Sequence, residues 1–275
     1  MKIGSAFPRL LENRYPYVEP GYPLLTVLNL LRASDTPAVP LHEGLTSSRS
    51  VSGFSSLSKL IELPAESFES FLEGPCENAA KKVDTFGMDD DLEKLLEAYK
   101  KRMLGVSLVN GVVGGEPRFS LVGLKDLLSL YQTGQFASDL SVQDVSSEIF
   151  SLPGTTTVRD SLAAMFRLRH RSVFISGDRS YVSDRTIIDR VFDPGFLQPH
   201  HQQPTVAAFD AQIGTLDRTT PTEIGPLTGL RAAAMKVRSE WGTCLTLRDM
   251  NALVTPWDLV MKPWESGKLK IRRRS

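Results

Sequence analysis

The hydrophobic and polar positions of this chain follow one pattern, and the pattern recurs four times. In YVEPGYPLLTVLNLLRAS (17–34), Leu24, Leu25, Leu28 and Leu31 recur at the spacing of one helix face. TPAVPL then predicts a short buried strand around Val39, and after a serine-rich loop a second strand enters at Val51. SSLSKLIEL closes the unit as a helix with Leu57, Leu60 and Ile61 on one face. The order is helix, strand, strand, helix.

The same order returns further on. DDDLEKLLEAYKKR predicts a helix with Leu92, Leu95, Leu96 and Tyr99 inward, followed by strands VSLV and EPRFSLV and the helix GLKDLLSLY. The third unit runs from LPGTTTVRDSLAAMFRLRHR, with Val158, Leu162 and Met165 inward, through SVFIS and SYVS to DRTIIDRVF. The fourth runs from IGPLTGLRAAAMKVRS through TCLTL and NALV to PWDLVM, with Pro263 expected to end the helix early. Leu24 to Val39, Val158 to Val173 and Leu230 to Leu245 are each 15 residues, while Val173 to Ser183 and Leu245 to Thr255 are each 10. Glycine-rich VNGVVGGEPR fills the strand–strand slot of the second unit, where a hairpin turn belongs. Aligning the closing strand–helix junctions on these spacings sets Ser55, Val122, Ser183 and Thr255 side by side.

Two segments fall outside the units: LPAESFESFLEGPCENAAKK (63–82) and the Pro- and Gln-rich FDPGFLQPHHQQPTVAAFDAQIGT (192–215). The expected division is a first module over 1–136, with repeats at about 14–65 and 83–133. A second follows over 137–275, with repeats at about 140–194 and 215–264 and the basic tail KLKIRRRS.

The last junction carries candidate chemistry. In LVTPWDLV (253–260), Thr255 and Asp258 stand three apart around Pro256. One reading is a helix cap, with Thr255 at the N-cap, Pro256 first in the helix and Asp258 at its positive end. The other is that hydroxyl and carboxylate together hold something outside the chain.

Composition narrows the function classes. Apolar residues make up 41% and charged residues 23%, as in a soluble globular protein, and the formal net charge is zero, so no global field draws the chain to nucleic acid or to a membrane surface. Cys76 and Cys244 lack the paired spacing of a zinc or redox site. The N-terminus MKIGSAFPRLLENRYP has no apolar core of a targeting signal, and a cytoplasmic setting is expected.

The repeated order, the segments PAVPL and HRSVFIS before the middle strands, and GFSSLSKLI, SLVGLKDLL, VSDRTIIDR and LVTPWDLV at the closing junctions resemble a protein with four CBS repeats. The resemblance spans roughly residues 14–264. It implies an α+β fold of four β-α-β-β-α repeats, paired into two pseudo-twofold Bateman modules. The layout is that of the regulatory subunit of AMP-activated kinase. It also implies a non-catalytic sensor whose ligand is an adenine nucleotide (AMP, ADP or ATP), or alternatively S-adenosylmethionine. A regulated protein partner is implied as well, with the chain forming a monomeric disc or a homodimer of discs.

On the same resemblance, Thr255 and Asp258 would hold the ribose, since a carboxylate accepts two charge-assisted hydrogen bonds from a cis-diol. The backbone of Leu253 would meet the base edge, and His170, Arg171 and Arg185 of the third repeat would meet phosphate. Arg167 and Arg169 read instead as a solvated helix end. Ser58, Lys125 and Thr186 are expected at the Asp position of the other repeats, and Trp241–Gly242 at the facing position of the fourth. Ser58, Lys125 and Thr186 cannot accept from a diol as a carboxylate does, Lys125 being a donor only, and Trp241–Gly242 brings no charge for phosphate. The competent cleft is therefore expected between the third and fourth repeats alone.

Other classes have less to stand on. Adjacent His200 and His201 in a Pro/Gln-rich loop do not form a metal pair, and His42 stands apart. Asp89–Asp91 suit the start of a helix. Gly111, Gly114 and Gly115 are not followed by the Gly-Lys-Ser/Thr of a phosphate loop. An interaction module without nucleotide remains the alternative, with Arg272, Arg273 and Arg274 as the basic run through which nucleic acid would bind.

Overall fold

The computed structural model describes the chain except for residues 13–14, 35, 37, 44–46, 103–104, 169, 192–207, 238–243, 249 and 273–275. The readings made above for Arg169, His200, His201, Trp241, Gly242, Arg273 and Arg274 therefore lie outside the described residues.

Each of the four units forms as helix, strand, strand, helix. The first comprises α1 (Leu24–Ala33), β1 (Ala38–Pro40), β2 (Arg49–Ser52) and α2 (Gly53–Glu62). Strands β3 (Lys81–Lys82) and β4 (Thr85–Gly87) lead into the second, made of α3 (Leu92–Arg102), β5 (Val106–Val113), β6 (Glu116–Gly123) and α4 (Leu124–Gln132). A connector of β7 (Phe136–Ala137), a helical turn Val142–Val145, β8 (Ser147–Glu148) and β9 (Ser151–Leu152) follows. The third unit is α5 (Val158–Leu168), β10 (Ser172–Ile175), β11 (Tyr181–Ser183) and α6 (Asp184–Val191). After β12 (Thr222–Ile224), the fourth is α7 (Leu230–Lys236), β13 (Leu245–Leu247), β14 (Ala252–Val254) and α8 (Pro256–Glu265), and β15 (Lys270–Ile271) pairs back onto β7.

The helices form because their apolar residues share one face. Leu24, Val27, Leu28 and Leu31 of α1 are buried, as are Leu92, Leu95, Leu96 and Tyr99 of α3. The β5–β6 hairpin turns at Gly114 and Gly115, both at positive φ (61° and 84°), which a two-residue turn with the twist of its strands requires.

The sheets are small and separate: β1-β2-β3, β4-β5-β6, β11-β10-β9 and β12-β13-β14-β8. In three repeats a short strand pairs parallel to the first long strand (β4 with β5, β9 with β10, β12 with β13), and the single bridge Val18–Leu41 does so in the first. Sheets of consecutive repeats pack through small clusters. One holds Ala38, Val83, Leu108 and Leu121, the other Phe174, Tyr181, Cys244 and Leu253. The two large cores run the other way. One joins the helices of the first and third repeats, with Leu28, Leu57, Leu162, Met165 and Ile188 in one cluster. The other joins the second and fourth, with Leu95, Tyr131, Leu230, Val254 and Leu259.

Three expectations need correction. Pro263 does not end α8, which runs on to Glu265 with the proline inside its last turn. The first closing helix is capped by Ser52, whose hydroxyl accepts from the Ser55 N–H at 3.1 Å, so the junction lies three residues before Ser55. In the second repeat Gly123, not Val122, holds the N-cap, and Asp126, not Lys125, stands third in the helix.

Candidate functional site

The N-terminus of α8 is built from the residues the opening motif supplies. Thr255 has extended backbone and caps the helix, and Pro256 takes the first turn, where its missing N–H costs nothing. The Thr255 hydroxyl accepts from the Asp258 N–H at 3.3 Å. In return Asp258 Oδ2 accepts from the Thr255 N–H at 2.9 Å and from its hydroxyl at 2.7 Å. The capping reading is thus realised as a reciprocal box.

The other carboxylate oxygen is also engaged. Asp258 Oδ1 accepts from the Ser147 hydroxyl at 2.8 Å and lies 2.9 Å from Lys262 Nζ, one turn along α8. Lys262 also donates to the carbonyls of Val145 and Ser146 at 2.8 Å each and to Ser147 Oγ at 2.7 Å. A carboxylate has about four acceptor positions. The buried Asp258 meets four donor groups, all from within the chain. Neither Ser147 nor Lys262 was singled out in the sequence. Lys262 was visible as the i+4 partner of Asp258, whereas Ser147 lies 111 residues away and carries no such mark.

Leu253 sits in β14, a strand flanked on both edges. It pairs with Thr246 of β13 and with Ser147 of β8. The residue that reaches Asp258 is therefore also the one that lies along Leu253.

The connector carries the site to the third repeat. Three residues after Ser147, the Phe150 ring stacks on His170 with centroids 5.7 Å apart and planes 17° off parallel. From the next residue, Ser151, β9 joins β10. Three residues of extended chain span about 10 Å, so Asp258 and His170 lie at the two ends of one short segment. Arg171 follows His170 and turns its guanidinium onto Asp184, with Nε 3.0 Å from Oδ2 and Nη2 on the same oxygen. Asp184 is fully buried, while the Arg171 side chain is 41% exposed. Asp184, unremarked in the sequence, is what orients Arg171.

Arg185 is placed elsewhere. Its guanidinium donates to the carbonyls of Leu31 and Arg32 at the C-terminus of α1, and Nε lies 3.1 Å from Asp189. A cation suits the negative end of a helix, and here it ties the third repeat to the first. The expected trio of phosphate donors is therefore not assembled: His170 stacks on the connector, its neighbour Arg171 is held on Asp184, and Arg185 faces α1.

Behind the connector, burial pushes the Cys244 thiol up to about 12, with the Asp258 charge adding to the shift and the Tyr181 hydrogen bond opposing it. A thiol so held is inert packing.

The corrected register adds a second carboxylate. Asp126 stands in the second repeat where Asp258 stands in the fourth, and its Oδ2 accepts from the Gly123 N–H at 2.7 Å. Burial pushes the Asp126 carboxyl above the ordinary aspartate value, against the Gly123 hydrogen bond and the Lys125 charge. In the first and third repeats the equivalent residues are Ser55 and Thr186, whose N–H groups donate to the capping hydroxyls of Ser52 and Ser183 and whose side chains carry no charge. Among the described residues no group of three or more His, Cys, Asp or Glu is arranged to hold a metal ion, and no helix is long and apolar enough to cross a membrane.

Solved structures match this fold along most of the chain. A Methanocaldococcus jannaschii protein, proposed as an archaeal homologue of g-AMPK, superposes with a TM-score of 0.78 over 96% of this chain and 100% of its own, at 12% identity. The chain has the fold of a four-CBS-repeat protein. A conserved Pyrococcus horikoshii protein superposes on the four-repeat chain with a TM-score of 0.50, covering 90% and 94% at 12% identity. The CBS domain of a bacterial CNNM/CorC family Mg2+ transporter, solved in complex with ATP, covers 46% of this chain and 93% of its own with a TM-score of 0.34 at 16% identity. No protein-family model and no curated protein sequence matches the four-repeat chain.

Proposed function

We propose that this four-repeat chain is a non-catalytic sensor that binds an adenine nucleotide (AMP, ADP or ATP) between its third and fourth repeats. Asp258 and Thr255 take the ribose hydroxyls, and His170 with Arg171 takes phosphate. One observation carries the reading: a capped carboxylate at the start of α8 and a His–Arg pair of the facing repeat lie at the two ends of the segment Ser147–Phe150. The resemblance of both motifs to CBS nucleotide sites supports the assignment of roles. Arg185 is left out, because its donors are committed to the carbonyls of α1. The base edge is assigned to the backbone around Leu253, which β8 borders.

Calorimetric titration of the purified chain with adenosine, AMP, ADP, ATP and S-adenosylmethionine tests the proposal. Tighter binding of AMP than of adenosine supports a phosphate contact, and loss of both on Asp258→Ala supports the ribose role. Undiminished binding by Asp258→Ala would leave the Thr255–Asp258 pair as a helix cap only.

A further inference from the structure

The carboxylate assigned to the ribose is already occupied by the chain itself. Ser147 brings a hydroxyl to Asp258 Oδ1 at 2.8 Å, the distance and chemistry of a ribose hydroxyl on a carboxylate. Its strand lies along Leu253, where the base edge is assigned. Lys262 fixes this arrangement by holding the carbonyls of Val145 and Ser146 and the Ser147 hydroxyl with one ammonium group. A ribose hydroxyl needs an acceptor position on Asp258, and all four are taken.

We infer that Ser147 is an internal competitor for the ligand, and that Lys262 is the residue that holds it in place. This rests on the nucleotide reading above. Binding replaces the Ser147 hydroxyl on Asp258 Oδ1 by a ribose hydroxyl, a one-for-one exchange of donors that leaves Lys262 on the two backbone carbonyls. The exchange has two consequences. Affinity is set below that of an open carboxylate, because each binding event must break a charge-assisted hydrogen bond already made. Occupancy also reaches the connector: Ser147 belongs to the segment between the second and third repeats, whose Val142 and Val145 are buried in the core shared by the second and fourth. A bound nucleotide therefore loosens the hold of the connector on the fourth repeat at Ser147.

The test is the affinity of Ser147→Ala for adenosine and for AMP, measured by titration calorimetry beside the parent. Removing the competitor is expected to tighten both by roughly tenfold, the worth of one hydrogen bond to a charged group. Lys262→Met, which releases the carbonyls of Val145 and Ser146 and one position on Asp258 while the Ser147 side chain is retained, is expected to tighten them in the same direction. Hydrogen exchange provides the second readout: on saturating the parent with AMP, amides of 145–149 should exchange faster while those of α8 slow. Equal or weaker binding by Ser147→Ala, with the parent binding adenosine and AMP, would overturn the competitor and leave the nucleotide site standing. Absence of binding by parent and variant alike would overturn the nucleotide reading, and the competitor with it.

Discussion

The Tyr131 hydroxyl donates to the carbonyl of Leu259 at 2.8 Å. Leu259 is four residues before Pro263, and that carbonyl would accept from residue 263 if the residue had an N–H. The second repeat thus supplies the hydrogen bond that the proline removes from the fourth. This is why the helix passes through Pro263 to Glu265 rather than ending before it.

Tyr131→Phe keeps the buried ring and strands the carbonyl, so a loss of about 1–3 kcal/mol is expected in guanidinium unfolding. Pro263→Ala restores the helical donor. The double variant should therefore lose less than the sum of the single changes. A strictly additive cycle would show that the two residues do not serve the same carbonyl.

Arg185→Met should destabilise the chain by about 1–2 kcal/mol, since two α1 carbonyls lose a charged donor at the joint between the first and third repeats. Its AMP affinity should match the parent. A selective loss of AMP over adenosine would return Arg185 to the phosphate site.

Arg171→Ala is expected to act twice. It leaves the fully buried Asp184 without its cation, so the melting temperature should fall without any ligand present, by about 2–3 kcal/mol in free energy, less than for a wholly buried pair because Arg171 is partly exposed. The phosphate role is read from the ratio of AMP to adenosine affinity in the same variant, which should fall toward one.

Asp126 should give the fold an inverse pH dependence. Burial raises its carboxyl in the folded state, so the native chain binds more protons than the unfolded one above the ordinary aspartate value, and stability from this group falls as pH rises through that window. Asp126→Asn removes the charge and keeps an acceptor for the Gly123 N–H. It should be at least as stable as the parent at neutral pH, with the difference closing as pH drops below the usual carboxylate range. A variant less stable at pH 7 would show that the ionised carboxylate is favourable there.

The repeat was legible because it rests on local pattern: helix faces such as Leu24–Leu31 and the hairpin glycines report their own environment. The closing junctions of the first two repeats were harder to place. Ser52, Ser55 and Ser56 stand close together, and any of them is a plausible cap. Gly123 caps with no side chain at all, so Asp126 passed unnoticed beside Lys125. The site showed the same limit. Thr255 and Asp258 were legible from their spacing, but what fills the carboxylate comes from Ser147, 111 residues away, and what claims Arg185 comes from α1, more than 150 residues away. Motifs name the groups present; only the fold shows which are already spoken for.

The crossing of the two large cores bears on how the chain is made. As the N-terminal half leaves the ribosome, the apolar faces of α1 and α2 are complete, but Met165, Ile188 and Phe209, which cover them, have not yet been synthesised. Likewise Tyr131 emerges 128 residues before the carbonyl it will bind. The nascent first half therefore waits with uncovered surface until Leu216 completes the first core and Met261 the second, and a slow stretch in the second half exposes that surface to aggregation or to chaperones.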